Sequence, residues 1–206
     1  IRTGLKELRE TEERNSLAVQ QALDVFEELK KDLKEKKDNF GPALPEIQKQ
    51  VKNVEIEFTQ FVTLNTSGDP IEAREVLDDA EKHTYEVQAT MQKVPTIYED
   101  LEKTFPSQID ELEKTYKKMM TDHFVLPEDD FEERLEKVKK HVERSLEDLE
   151  KIELSTVETA NKETAELIDD LYAVLEKEFE AKKYVLTNRK TIGEYISHAS
   201  RNNHQL

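Results

Sequence analysis

The chain has no cysteine, no tryptophan and only four glycines among 206 residues. Without cysteine it can form neither disulfides nor thiolate metal sites, which is compatible with a reducing compartment. Four glycines could hardly build a glycine-rich phosphate cradle. No stretch reads as a signal peptide, and no apolar run approaches the roughly 18 residues of a membrane span. A positive balance is missing too, since 47 acidic against 31 basic residues give a formal charge of −16. A field of that sign repels nucleic acid and anionic lipid headgroups, so neither is expected as a partner.

What is present is periodic. The hydrophobic fraction is only 35% against 38% charged, yet the apolar residues fall on helical spacings, which disfavours disorder. Ala73, Leu77, Ala80, Thr84, Val87, Met91, Val94, Tyr98, Leu101 and Phe105 alternate steps of four and three. Two consecutive fours, Leu101 to Phe105 to Ile109, then shift the phase before Leu112, Tyr116, Met119 and His123 resume it. A heptad stripe turns one helix face to a partner, and an inserted step of four rotates that face. The shift coincides with Pro106. One helix over about 70–122 is expected, serving two successive bundles and changing partners midway. At ~1.5 Å per residue such a helix would span on the order of 75 Å.

Flanking signals divide the rest. A first helix, with Leu5, Leu8, Val19, Leu23, Phe26, Leu29 and Leu33 on its period, should run to about Asn39 and end at Phe40-Gly41-Pro42. Leu44, Ile47, Val51, Val54, Phe58 and Phe61 mark a second. Asp69, Pro70 and Glu72 make a capping start for the long helix. Pro95 and Pro106 lie inside it and predict kinks, with Pro106 the preferred boundary and a split at Pro95 the alternative. After a turn around Leu126-Pro127-Glu128-Asp129, a helix carries Phe131, Leu135, Val138, Val142, Leu146, Leu149 and Ile152. Ser155 to Glu158 reads as a capping box for a last helix that carries Val157 to Leu186, with continuation through Ile192 and Ile196 left open and a frayed end from Arg201 to Leu206.

The order of elements repeats, with Leu44 and Phe131 opening corresponding stripes, and Pro70 and Thr156 corresponding long helices. The fold expected is all-α: tandem spectrin-like three-helix repeats, antiparallel coiled coils joined by long continuous helices into an elongated rod. The repeats fall at 1–105 and 106–206, sharing the helix over about 70–122. Because the chain opens within a helical pattern and without methionine, it reads as a piece of a longer protein.

A search for chemistry is negative. The di-iron mark of helical bundles is Glu-x-x-His, but Ala80, Met120, Val138, Tyr195 and Arg201 stand three residues before the five histidines. His83 and Glu86 read as a solvated pair. Lys137, Lys139, Lys140, His141 and Arg144 form a basic cluster, yet interleaved glutamates, as in Glu136 to Lys140 and Glu147 to Lys151, favour a solvated face over a docking patch. Phe58, Phe61, Met119 and Met120 read mostly as core. No catalytic, cofactor-binding or metal residue is expected, and the protein should not be an enzyme.

Phe40-Gly41, Gly68-Asp69 with Ala73, Val94-Pro95 and Phe105-Pro106-Ser107-Gln108 resemble consecutive landmarks of the EzrA family, regulators of septation ring formation. So does Ile168-Asp169-Asp170-Leu171-Tyr172 followed by Leu175, Glu178, Ala181 and Lys182. The resemblance covers nearly the whole chain. It implies a protein with one N-terminal membrane anchor, absent from this chain, and a cytoplasmic arm of spectrin-like repeats at the mid-cell division septum. It implies binding to the tubulin-like FtsZ or other divisome proteins, and negative control of the frequency and position of FtsZ ring formation. The family's glutamine- and arginine-rich patch has no counterpart here. Alternatives are a structural spacer or scaffold coiled coil, self-association included, and a BAR-like membrane-shaping module, which the acidic balance disfavours.

Overall fold

The computed structural model describes residues 2–126 and 130–183, with side chains described from Ser16 to Lys182 within those segments. Among them there is no strand. The elements are α1 (Arg2–Glu35), two 3-10 turns (Lys37–Asn39 and Gly41–Ala43), α2 (Leu44–Ser67), α3 (Pro70–Glu99), a π-helical turn (Asp100–Thr104), α4 (Phe105–Thr121), α5 (Phe131–Glu150) and α6 (Leu154–Lys183). Because α3, the π turn and α4 follow one another without a loop, the described chain amounts to five long helices. The expected stretches Val185 to Leu186, Ile192, Ile196 and 201–206 lie outside the described residues, as do Pro127, Glu128 and Asp129.

Two compact units divide the chain, one taking Ile1–Pro95 with Glu150–Ile152, the other Thr96–Leu149 with Glu153–Leu206. In the first, α1 buries Ala22, Phe26, Leu29 and Leu33, and α2 buries Ile47, Val51, Val54 and Phe58. Phe26 meets Phe58 with ring centroids 5.3 Å apart, and Lys30 reaches Glu55 at 3.4 Å, so α1 and α2 run antiparallel. α3 returns along α2, its His83 against Glu57. Each buried Val, Leu, Ile or Phe contributes roughly 1.5–3 kcal/mol relative to exposure.

The second unit repeats this up–down–up order. Tyr116 of α4 stacks on Phe131 of α5 at 4.5 Å, and Lys139 of α5 reaches Glu113 of α4 at 3.7 Å. The Tyr172 hydroxyl of α6 donates to Glu111 of α4. Lys182 donates to the Asp122 carbonyl at 2.8 Å, so α6 is parallel to α4.

Local chemistry fixes the ends. Gly68 caps α2 at φ +86°, a left-handed conformation that glycine adopts without a Cβ penalty. Asp69 caps α3 as expected, its carboxylate accepting the Glu72 amide at 3.1 Å. The first helix stops at Glu35, and 3-10 turns carry the chain to Phe40. The last begins at Leu154, not Thr156: the Val157 amide already bonds the Glu153 carbonyl, so the predicted capping box lies inside the first turn. His123 does not belong to the stripe. It sits exposed beyond α4 at φ 62°.

The phase shift resolves into two features. Gln108 is buried, at 4% exposure, so the four-three rhythm runs on through a polar residue that a reading of apolar positions skips. The ladder widens in the turn before Pro106, where the Phe105 amide bonds the Asp100 carbonyl five residues back. Proline lacks the amide that would serve Glu102 and crowds that carbonyl, and a π turn accommodates both effects.

Candidate functional site

Charged groups are placed along helix flanks, so any site must be built from them. Glu57, at the flank of α2, presents its two carboxylate oxygens 2.7 and 2.9 Å from His83 Nδ1 on α3. A carboxylate only accepts, so the ring N–H on Nδ1 is the donor. Glu86, expected as the partner of His83, lies near Lys82 instead, at 3.9 Å. The correction has a simple cause: the α2–α3 register brings Glu57 across from His83, and spacing within one helix does not report register.

The basic cluster on α5 splits by face. Lys139 turns toward α4, at 3.1 Å from Glu136 and 3.7 Å from Glu113. Its ammonium is held above the ordinary lysine range, first by the hydrogen bond to Glu136, against burial, with Glu113 adding to the shift. Glu136 thus engages Lys139. Lys137, Lys140 and Arg144 are exposed. In the first unit Lys30 behaves alike, raised first by its hydrogen bond to Glu27 and then, against burial, by Glu55. Exposed pairs of this kind contribute about 0–1 kcal/mol each.

The aromatic and methionine candidates are mainly core, since Phe58 and Met119 are buried while Phe61 and Met120 are half-buried. Among the described residues no group of three or more His, Asp or Glu could hold a metal ion. No helix among them is long and apolar enough to cross a membrane.

Helices that direct their charges into pairs along and between themselves define an all-α helical-bundle protein. The EzrA family, described as septation ring formation regulators, matches residues 1–206. A septation ring formation regulator EzrA from Enterococcus faecalis (strain ATCC 700802 / V583) is 62% identical over 206 residues, covering 100% of this chain and 36% of its own length. The chain belongs to the EzrA family, a family of regulators and not of enzymes. It spans about a third of the length of that relative. No solved structure matches it.

Proposed function

We infer that this chain is a non-catalytic part of a cell-division regulator, a rod of spectrin-like repeats that offers surface to the division machinery at a fixed reach. The observation that carries this reading is the family match along the entire chain, on two units of the same up–down–up order. The repeats are taken as 1–105 and 106–206 with the helix over about 70–122 shared. The compact units part at Pro95 and the ladder widens before Pro106, so partner exchange and helix distortion occupy neighbouring stretches. The longer protein would stand on the cytoplasmic side of the membrane at the mid-cell septum, held by an anchor outside this chain. It would bind FtsZ or its divisome partners and restrain ring formation by lowering lateral association of polymers or promoting their turnover.

Overall charge does not supply the attraction, because the chain carries −16. Contact with FtsZ, itself expected to be acidic, must use local patches or apolar grooves. Cosedimentation of this chain with FtsZ polymers tests the reading: capture or altered assembly supports it, and neither would leave the segment a spacer. Flotation with liposomes tests the BAR-like alternative, which needs binding that the acidic surface opposes. Small-angle scattering tests the rod, and a profile of a globule would refute it.

A further inference from the structure

We propose that the groove between α2 and α3 of the first unit seats a basic-edged amphipathic helix from another protein. The groove, of about 620 Å³, is lined by Ile56, Thr63 and Leu64 of α2 and Val76 of α3, with Glu55 and Glu72 at its margins. Ile56 is 49% exposed. Residues 58–68 carry no charge at all in a chain that is 38% charged, so beyond Glu55 the α2 wall of the groove is uncharged.

Covering that wall leaves mainly the Gln60 amide for a partner to satisfy. The Thr59 hydroxyl already donates to the Glu55 carbonyl and the Thr63 hydroxyl to the Thr59 carbonyl, each at 3.0 Å. A hydroxyl whose donor is satisfied by its own helix need not keep water when a partner arrives. The opposite wall differs. Glu72, Glu75 and Asp79 stand exposed around Val76 at spacings of three and four, and none of them enters an ion pair among the described residues. They form an acidic edge about 10 Å long, two helical turns.

An apolar floor with one acidic edge selects its occupant by charge. A helix with apolar side chains at i, i+4 and i+7 fits the floor, and Lys or Arg at the same spacing along one side meets the carboxylates. Nucleic acid is excluded by the sign of that edge. A second copy of this chain is a poor fit, because its basic stripe (Lys137, Lys140 and Arg144) lies on α5, whose apolar face is already buried.

The test uses two synthetic helical peptides of roughly 18 residues, alike in a leucine stripe and differing only in a lysine or a glutamate edge. Binding is read by backbone amide shifts of the intact chain. The lysine-edged peptide should bind and shift resonances of α2 and α3. Ile56→Asp, at a half-exposed position and checked for an unchanged melt, should weaken it about tenfold or more. Glu72→Lys with Asp79→Lys should transfer preference to the glutamate-edged peptide. Equal binding of both peptides, binding untouched by Ile56→Asp, or no binding of the lysine-edged peptide would overturn the proposal. So would sedimentation showing a dimer that Ile56→Asp dissolves, which would assign the groove to a second copy. None of these readouts involves FtsZ, so the outcome is separate from the cell-division reading.

Discussion

The two units share a topology but distribute polarity in opposite ways. In the first, Leu17, Ile56, Val62, Ile71 and Tyr85 are exposed, whereas the second exposes only Val125 among large hydrophobics described. Inside, the contrast reverses. Among the described residues, the buried side-chain atoms without a hydrogen-bond partner, Gln108 Oε1, Ser145 Oγ and Asn161 Oδ1, belong to the second unit, one on each of its helices. The buried Thr84 of the first unit donates to the Ala80 carbonyl at 2.7 Å. Each buried polar group left without a partner costs about 1–3 kcal/mol, so the second unit carries a core cost that Thr84 spares the first.

The heptad stripe is common ground for both units, and breaking it gives the largest effect. Leu101 is 1% exposed, and Leu101→Asp should cost several kcal/mol, about 3 or more, by placing an unpaired charge in the seam. Glu102→Ala, one residue on and exposed, should stay within about 0.5 kcal/mol. Urea unfolding followed by circular dichroism separates them. If the two variants unfolded alike, the stripe would be misassigned from Leu77 to Leu112.

That stripe was legible because burial imposes a period, and Leu77, Met91, Val94, Leu101, Phe105 and Leu112 all proved buried. The cap at Asp69 was legible because backbone conformation selects residue type locally. Gln108 was not, since a buried polar residue carries no hydrophobic signal. The π turn was only half visible: Pro106 marks the spot, but proline acts on the carbonyl four residues back, so the distortion falls at Asp100–Thr104. His83 with Glu57 was invisible because cross-helix pairing depends on register. The α2–α3 groove was missed for a related reason, although the uncharged run at 58–68 was there to be noticed.

The interior contrast can be sharpened by removing one polar group from each unit. Gln108→Met keeps an unbranched side chain of similar length and deletes the orphaned oxygen, so the second unit should gain on the order of 1 kcal/mol. Thr84→Val in the first unit deletes a hydroxyl that already has its acceptor, and stability should hold or fall by up to about 1 kcal/mol. Thermal melts of both would decide. A loss with Gln108→Met would mean that the amide is satisfied in solution, and the distinction between the two cores would collapse.

A matched pair of helix ends sharpens it further. The first unit closes α2 with Gly68 at φ +86°, while the second closes α4 with His123 at φ 62°. A Cβ at Gly68 meets nothing within 4 Å, so Gly68→Ala should lose about 1 kcal/mol from backbone conformation alone. His123→Gly should gain somewhat less than ~1 kcal/mol, since it relieves the same strain but loosens the unfolded chain. Midpoints of denaturant unfolding report both, and shifts of the same sign would contradict the assigned backbone.

The smallest effect concerns the π turn. Burial lifts the Asp100 carboxyl above its ordinary value, a hydrogen bond with Thr104 opposes the shift, and the charge of Glu99 adds to it. A raised carboxyl binds its proton more tightly in the folded state than in the unfolded one, so ionisation costs stability above the folded value. That cost disappears as the pH falls below the unfolded value of about 3.8, where both states are protonated. Asp100→Asn keeps the polar contact without the charge. The variant should be slightly more stable than the parent at neutral pH, and the difference should shrink as the solution is acidified into the carboxylate range. A gain that is independent of pH would place its cause in packing of the widened turn, and the charge of Asp100 would then have no part in it.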